Sequence, residues 1–428
     1  MSPIASTDDK AVPNACGVTP HSRWLIAGMG TLLQLCLGSV YAWSYFQKPL
    51  VDGYGWRNTQ VAWTFSLAIG FLGVAAAVGG VLLPRFGPRK LAVTGSLCYG
   101  VGYLLAALAL HVKSLPLLWL GYGVTGGIGL GLGYVTPVAT VAKWFPDKKG
   151  FATGMVVMGF GFGALLMSKV IAPALDAAFP RQLPMVFAGI GIIVGLTGLV
   201  AASFLQNPPA SAATVTDAAN VWPQLASRSF ALMWLIFFCN ITAGIAIIGF
   251  QSPLLQDLWK KTNPQLSAAT LAAYGATLIA VSSVFNGLGR FFWGGLSDRL
   301  GQVATFRLLL ATQVVAFIAL MLTGNPWLFV ALICYILLCY GGGFGVMPSF
   351  VLNTFGPRLM PVLYGAILTA WSAAGVVGPQ VIAWLKDHCG AQASERAFAL
   401  GAGLLALGFV LSLLLRTQEP GKNFLSRR

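Results

Sequence analysis

Hydrophobic residues run along this 428-residue chain in twelve long stretches, and polar residues are concentrated in the mostly short connections between them. A helix that spans a bilayer needs ~20 predominantly apolar residues. Segments of that kind occupy residues 24–46, 58–83, 90–111, 115–142, 151–173, 182–205, 229–252, 268–295, 303–323, 326–353, 361–385 and 395–415. The pattern predicts an all-α membrane protein with twelve transmembrane helices.

The connection between the sixth and seventh segments, residues 206–228, is longer than the others and contains Pro208, Pro209 and Ser211. Such a composition is typical of a flexible linker. We therefore predict a bundle of six helices at 24–205, a cytoplasmic linker at 206–228 and a second bundle of six at 229–415. Residues 1–23 and 416–428 are predicted to be cytoplasmic tails, and the first of these has no short apolar region with a cleavage site of the kind found in a signal peptide.

The composition agrees with this topology, since 57% of the residues are hydrophobic, 9% are charged and the mean hydropathy is +0.78. A soluble domain would carry about 25% charged residues. The net charge of +15 is spread singly over loops, so no nucleic-acid-binding face is indicated. Of the basic residues, 16 fall on the predicted side of the termini and 8 on the other. This bias predicts cytoplasmic termini in the inner membrane.

No pattern typical of an enzyme or a cofactor site is present. The seven cysteines show no CxxC and no Cys/His spacing typical of zinc, and His21, His111 and His388 lie in predicted tails or loops. A phosphate-binding loop would need a preceding strand and a following Lys-Ser/Thr, which the glycine-rich runs lack. We therefore predict no cofactor, no metal and no enzymatic activity.

Arg290 lies inside the eighth apolar segment, and Asn286 precedes it by four residues, on the same face of a helix. An arginine near the bilayer centre costs at least ~2.5 kcal/mol, and such residues nearly always face a protein interior or a water-filled pathway. All eleven acidic residues are predicted to lie in loops or tails. Because no carboxylate is available to neutralise Arg290, its partner is predicted to be water or an incoming anion.

The two halves contain an internal repeat. The run that begins at Gly80 after the second segment matches the run that begins at Gly294 after the eighth, at an offset of 214. At this offset the counterparts of Asn286 and Arg290 are Leu72 and Ala76. The polar pair thus belongs to one half of a symmetric frame, which favours substrate contact over a structural role.

The run from Gly294 to Gly301 resembles the GxLxDRxG loop of the major facilitator superfamily, although Pro84 replaces the aspartate in the first copy. The run 143–154 after the fourth segment, with Asn286 to Asp298, resembles the oxalate/formate antiporter branch, a relative of the monocarboxylate transporters. The resemblance implies the major facilitator fold, in which two six-helix bundles move about a central site.

The resemblance also implies site residues. It makes Arg290 the anion-binding arginine and places an aromatic cage at Tyr41, Tyr134, Tyr340 and Phe344. Asn286 is predicted to position the carboxylate or a substrate hydroxyl. Leu37, Leu368 and Trp371 are predicted to wall an apolar pocket with Phe344. Trp371 stands in the eleventh segment, where the oxalate branch has a second cation, so the site is predicted to hold one negative charge.

These observations predict a secondary transporter of a small monocarboxylate such as lactate or pyruvate, coupled to protons and functional as a monomer in the lipid bilayer. Moving one negative charge into a cell costs ~2.3 kcal/mol per 100 mV, and a co-transported proton cancels that charge. An anion exchanger of the oxalate/formate type, a sensor without transport activity and, least favoured, a membrane enzyme stay open as alternatives.

Overall fold

The computed structural model describes residues 22–145, 149–208, 221–356 and 359–415. Twelve helices within these ranges are long and apolar enough to cross a membrane, as predicted. They are α1 Arg23–Tyr54, α2 Asn58–Phe86, α3 Pro88–His111, α4 Leu115–Trp144, α5 Ala152–Ala178, α6 Leu183–Ser203, α7 Arg228–Thr262, α8 Ala268–Leu300, α9 Gln302–Leu322, α10 Pro326–Phe355, α11 Val362–His388 and α12 Ala393–Leu413. The protein is a multi-pass membrane protein.

Local sequence signals set many of the helix ends. Ser227 and Ser267 precede α7 and α8, and each side chain accepts a hydrogen bond from the backbone N–H three residues later. Gly87 and Gly301 end α2 and α8 with φ of 77° and 80°, a conformation that favours glycine. These two glycines are equivalent at the offset of 214, so both copies of the repeat end their helix in the same way.

The predicted ends of α1 and α7 were wrong, because α1 continues to Tyr54 and α7 to Thr262. The prediction that all acidic residues lie in loops or tails was also wrong. Every acidic residue within the described ranges lies in a helix, close to one end: Asp52, Asp176, Asp257, Asp298, Asp387 and Glu395. Hydrophobicity marks only the part of a helix inside the bilayer, whereas backbone hydrogen bonding carries the helix on into the polar region.

The linker and the tails are described only in part. Residues 1–21, 209–220 and 416–428 lie outside the described ranges, so the predictions for the two tails and for most of 206–228 stay predictions. The described end of the linker contains a short helix, Trp222–Leu225.

The packing of the first six helices is repeated in the last six. In the first group α1 packs on α5, α2 on α4 and α3 on α6, and in the second group α7 packs on α11, α8 on α10 and α9 on α12. The two groups meet mainly where α2 lies along α11 and α5 lies along α8. Two of the helices that form these seams carry predicted site residues, namely Asn286 and Arg290 in α8 and Leu368 and Trp371 in α11.

Hydrogen bonds join the two groups at the end of the bundle that we predict to be outside. Asp387 of α11 accepts hydrogen bonds from the backbone N–H and side chain of Asn58, both at 3.0 Å. It also accepts them from the backbone N–H and hydroxyl of Thr59, at 2.9 and 2.8 Å. A carboxylate is favoured at the N-terminus of a helix, where the first N–H groups have no partner within the helix. Asp387 therefore ties α11 to the start of α2.

Candidate functional site

Two interruptions of helical geometry lie next to predicted site residues. The segment Gly38–Ala42 within α1 is a 3₁₀ turn, and it carries Tyr41. The segments Met360–Ile367 and Thr369–His388 meet at Leu368, three residues before Trp371. Short 3₁₀ stretches within helices often mark hinges or functional positions. Both interruptions contact the other helix group, since the Tyr41 hydroxyl bonds to Tyr340 and the Leu368 carbonyl faces Gly73.

The five predicted aromatic residues form one cluster across the two groups. Trp371 lies centrally, with its ring centroid 4.8 Å from Phe344, 5.3 Å from Tyr134 and 6.5 Å from Tyr41. The hydroxyls of Tyr41 and Tyr340 are 2.7 Å apart and form a hydrogen bond between the groups. Edge-to-face pairs at such distances are favourable beyond their burial. The cluster therefore gives the centre of the molecule an aromatic wall.

Phe160 of α5 belongs to the same cluster, although the sequence reasoning missed it. Its centroid lies 5.0 Å from Tyr41, 5.2 Å from Tyr134 and 6.0 Å from Trp371. The sequence feature that could have identified Phe160 is the alternation of glycine and phenylalanine over residues 159–163. Gly159 and Gly163 let α5 pack against α1, where the Phe160 carbonyl lies against Gly38, and Gly161 packs against Gly287 of α8.

Arg290 is 4% exposed and is the one buried charged side chain among the residues that the structure describes. Its three guanidinium nitrogens have no hydrogen-bond partner there. The guanidinium carbon lies 5.1 Å from the centroid of Phe344, in cation–π contact. That contact offsets part of the desolvation of the charge and leaves the N–H donors free for an anion.

Asn286 lies one turn before Arg290 in α8 and is also buried, and its Oδ1 has no partner. The backbone carbonyls of Asn286 and Arg290 lie against Gly341 and Gly345 of α10. Glycine is needed at this crossing because a β-carbon at either position would collide with those carbonyls. The close contact fixes the positions of both polar side chains along the helix axis relative to Tyr340 and Phe344.

The two predicted leucines differ in position. Leu37 lies against Gly133, next to Tyr134, so it borders the aromatic cluster. Leu368 is buried at the interruption of α11, where its carbonyl accepts the backbone N–H of Trp371 at 3.0 Å and faces Gly73 of α2. Leu368 thus positions Trp371 through the backbone.

A small cavity of about 10 Å³ lies beside Asn286. Its polar lining includes Tyr41, Gln251, Ser282 and Ser283, and the Ser282 hydroxyl donates to Gln251 Oε1 at 2.7 Å. A volume of ~10–15 Å³ with several polar partners is about what one water molecule needs. The cavity therefore lies between Asn286 and α7.

Several buried polar atoms without a partner lie near Phe344. Within the described ranges they include atoms of Asn240, Arg290 and Trp371, and other such atoms, for example those of Ser44 and Gln313, lie elsewhere. Buried polar groups are normally hydrogen-bonded, and a group that is not needs an explanation. A cluster of such groups around one cation is the arrangement expected of a binding site for a small polar anion.

Comparison with known proteins places this geometry in context. The family model of the Major Facilitator Superfamily matches residues 27–379 and 269–428. An oxalate:formate antiporter of Oxalobacter formigenes is 26% identical over 83% of this chain and 83% of its own length. Apicoplast pyruvate carrier 1 of Toxoplasma gondii is 26% identical over 81% of this chain and 75% of its own.

Among solved structures, a bacterial homolog to the human lysosomal transporter Spinster, in an inward-facing and occupied conformation, superposes with a TM-score of 0.68. It covers 93% of this chain and 97% of its own at 16% identity, so the likeness extends to the fold alone.

Proposed function

The chain belongs to the major facilitator superfamily, and we propose that it carries a small monocarboxylate anion, such as lactate or pyruvate, across the membrane by alternating access. The observation that supports this proposal best is Arg290, buried and unpartnered beside the aromatic cluster. An arginine can bind a carboxylate through two parallel N–H···O bonds. The carboxylate would replace the hydrogen bonds that the guanidinium lacks.

The surroundings of Arg290 favour a small organic body next to the carboxylate. Phe344 and Trp371 present apolar ring surface, and the two ring centroids are 4.8 Å apart. Asn286 offers an acceptor one turn away. Burial of a few carbon atoms against these rings would add ~0.8 kcal/mol per CH₂ group. The site suits an acid with one charge and a short carbon chain.

The charge count separates monocarboxylates from oxalate, the substrate named for one relative. No second buried cation accompanies Arg290 in the described part of the chain. An unpaired second carboxylate would cost several kcal/mol on entering the site. At ~1.4 kcal/mol per decade, this supports a preference of at least about a hundredfold for monocarboxylates.

Proton coupling is the second part of the proposal. Entry of a bare anion into a cell is opposed by ~2.3 kcal/mol per 100 mV, and a proton that travels with it removes that term. None of the carboxylates in the described ranges is buried, and Asp257 is paired with Lys386. We propose that the substrate carboxyl itself or water carries the proton. The transporter would act as a monomer in the inner membrane with cytoplasmic termini.

Uptake into liposomes that contain the purified protein tests these points. Labelled lactate, pyruvate, formate and oxalate would be supplied with and without an inward proton gradient. We expect uptake of lactate or pyruvate that is stimulated by the gradient and weakly inhibited by unlabelled oxalate. Equal inhibition by lactate and oxalate would contradict the single-cation site. Flux that requires substrate on the opposite side would instead indicate an exchanger, as the similarity to an antiporter favours.

A further inference from the structure

One face of α7 is directed at the candidate site. Its members recur every three or four residues and are Phe237, Asn240, Gly244, Ile248 and Gln251. The ring of Phe237 lies 5.2 Å from Phe344, and Gly244 packs against the ring of Tyr340. Ile248 and Gln251 line the cavity beside Asn286. We call this set the α7 stripe.

Asn240 is the polar residue in the middle of the α7 stripe. It is 0% exposed, and neither its Oδ1 nor its Nδ2 has a hydrogen-bond partner in the described structure. Its Oδ1 lies against Gly343, the residue before Phe344. A buried amide with no partner is unfavourable, and packing alone would be served better by leucine.

The helix α10 fixes the height of Asn240 relative to Arg290. Three consecutive residues of α10 make the connection, since Gly343 faces Asn240, Phe344 lies under the guanidinium and Gly345 faces the Arg290 backbone. Asn240 and Arg290 therefore both lie against the short stretch of α10 that carries Phe344. A short acid held by Arg290 and extending over Phe344 would direct its next polar atom toward Asn240.

We propose that Asn240 determines specificity by hydrogen-bonding the oxygen on C2 of a 2-hydroxy or 2-oxo monocarboxylate. An amide both donates and accepts, so it can bind either a hydroxyl or a keto oxygen. Acids without that oxygen, such as propionate, would leave the amide unpaired, and sites built for a hydrogen bond reject such analogues. This inference rests on the proposed function and adds the substrate class.

The test compares Asn240→Leu, which keeps a similar volume without polar atoms, with the unmutated protein in proteoliposomes. KM would be measured for lactate, pyruvate and propionate. We expect the unmutated protein to prefer lactate and pyruvate over propionate. In Asn240→Leu the KM values for lactate and pyruvate should each rise about tenfold, which is the effect expected for the loss of one hydrogen bond. The KM for propionate should change by less than about twofold, since propionate makes no such bond.

Thr242→Val is the matched control, because Thr242 is on the same helix but off the α7 stripe, and its hydroxyl is bonded to the Phe238 carbonyl at 2.6 Å. Thr242→Val should leave the ratio of the KM for lactate to the KM for propionate unchanged. If Asn240→Leu does not accumulate, Asn240→Ser replaces it. Ligand-induced shifts in the melting temperature of the unmutated protein give a second readout.

Several outcomes would overturn the inference. An equal loss of lactate and propionate transport in the Asn240 variants would assign Asn240 to packing, and no change for either acid would show that it does not contact substrate. Equal KM values for lactate and propionate in the unmutated protein would also refute it, while the proposed monocarboxylate transport would stand. Absence of flux for every monocarboxylate would refute the proposed function and this inference together.

Discussion

At the scale of single residues, the environment of Arg290 explains why an arginine suits this position. The side chain is buried, and its charge contacts the face of Phe344. A lysine would keep the charge but would lose the planar fork that matches a carboxylate and stacks on aromatic rings. The shape of the guanidinium therefore matters as much as its charge.

Arg290→Lys should accordingly lose nearly as much transport as Arg290→Ala. Loss of one charge-assisted hydrogen bond weakens substrate binding about tenfold or more. Initial uptake rates at subsaturating lactate measure this directly. Arg181→Lys, at an exposed loop position, should transport normally. A rate above about half of the original for Arg290→Lys would contradict the two-bond arrangement that we propose from the fork geometry of arginine.

At the scale of helices, glycines decide how closely α8 and α10 approach. Gly341 and Gly345 lie against backbone carbonyls of α8, and Gly131 of α4 lies against the Leu72 carbonyl of α2 in the same manner. Leu72 is the counterpart of Asn286 at the offset of 214. The same glycine-mediated crossing thus carries a polar pair in one half and apolar residues in the other.

Gly341→Ala should destabilise the protein and impair transport, because the new methyl group would collide with the Asn286 carbonyl. Overpacking of this kind typically costs 1–3 kcal/mol, which should lower the melting temperature in detergent. The control is Gly403→Ala, since that glycine has open space around it. Alanine there should leave the melting temperature equal or slightly higher, because it favours a helix by ~1 kcal/mol. Equal melting temperatures for the two variants would refute the close contact of α8 and α10 at Gly341.

At the scale of the whole molecule, the hydrogen bonds of Asp387 hold the two helix groups together at the predicted outer end. Alternating access requires that such contacts break when the protein opens to that side. A carboxylate that accepts hydrogen bonds from four donors stabilises the arrangement in which the two groups meet at this end, although partial exposure of Asp387 to water weakens the effect. The equilibrium between the two access states should therefore depend on Asp387.

Asp387→Ala should raise the ratio of the state that is open at this end to the state that is closed there by about tenfold or more. Spin labels on Gly53→Cys and Asn263→Cys, in a background without native cysteines, would report the distance between the two groups. We expect a larger population at long distances. Asp52→Ala removes a carboxylate at the same end that pairs only within its own helix, with Lys48 at 2.8 Å, and should change nothing. An unchanged distribution of distances in Asp387→Ala would show that the hydrogen bonds of Asp387 do not hold the two groups together.

The sequence by itself determined the twelve spans and the repeat, and it identified Arg290 as a charged residue inside an apolar segment. The reason is that a bilayer imposes strong local rules, namely ~20 apolar residues for each crossing and a large penalty for a charge inside. These rules act on each segment independently of its neighbours. They do not locate the ends of helices that continue past the bilayer. For this reason the acidic residues were predicted to lie in loops or tails, whereas those in the described ranges lie near helix ends.

The tertiary structure alone decided which faces of the helices meet. Phe160 and Asn240 look like ordinary residues of apolar spans, and only packing brings the first beside Tyr41 and leaves the second without a partner beside Gly343. The bond between Asp387 and Asn58 joins positions 329 residues apart. In a chain whose segments are apolar on nearly every side, hydrophobicity does not distinguish the lipid-facing from the inward-facing surface. Close contacts between helices distant in sequence supply that information.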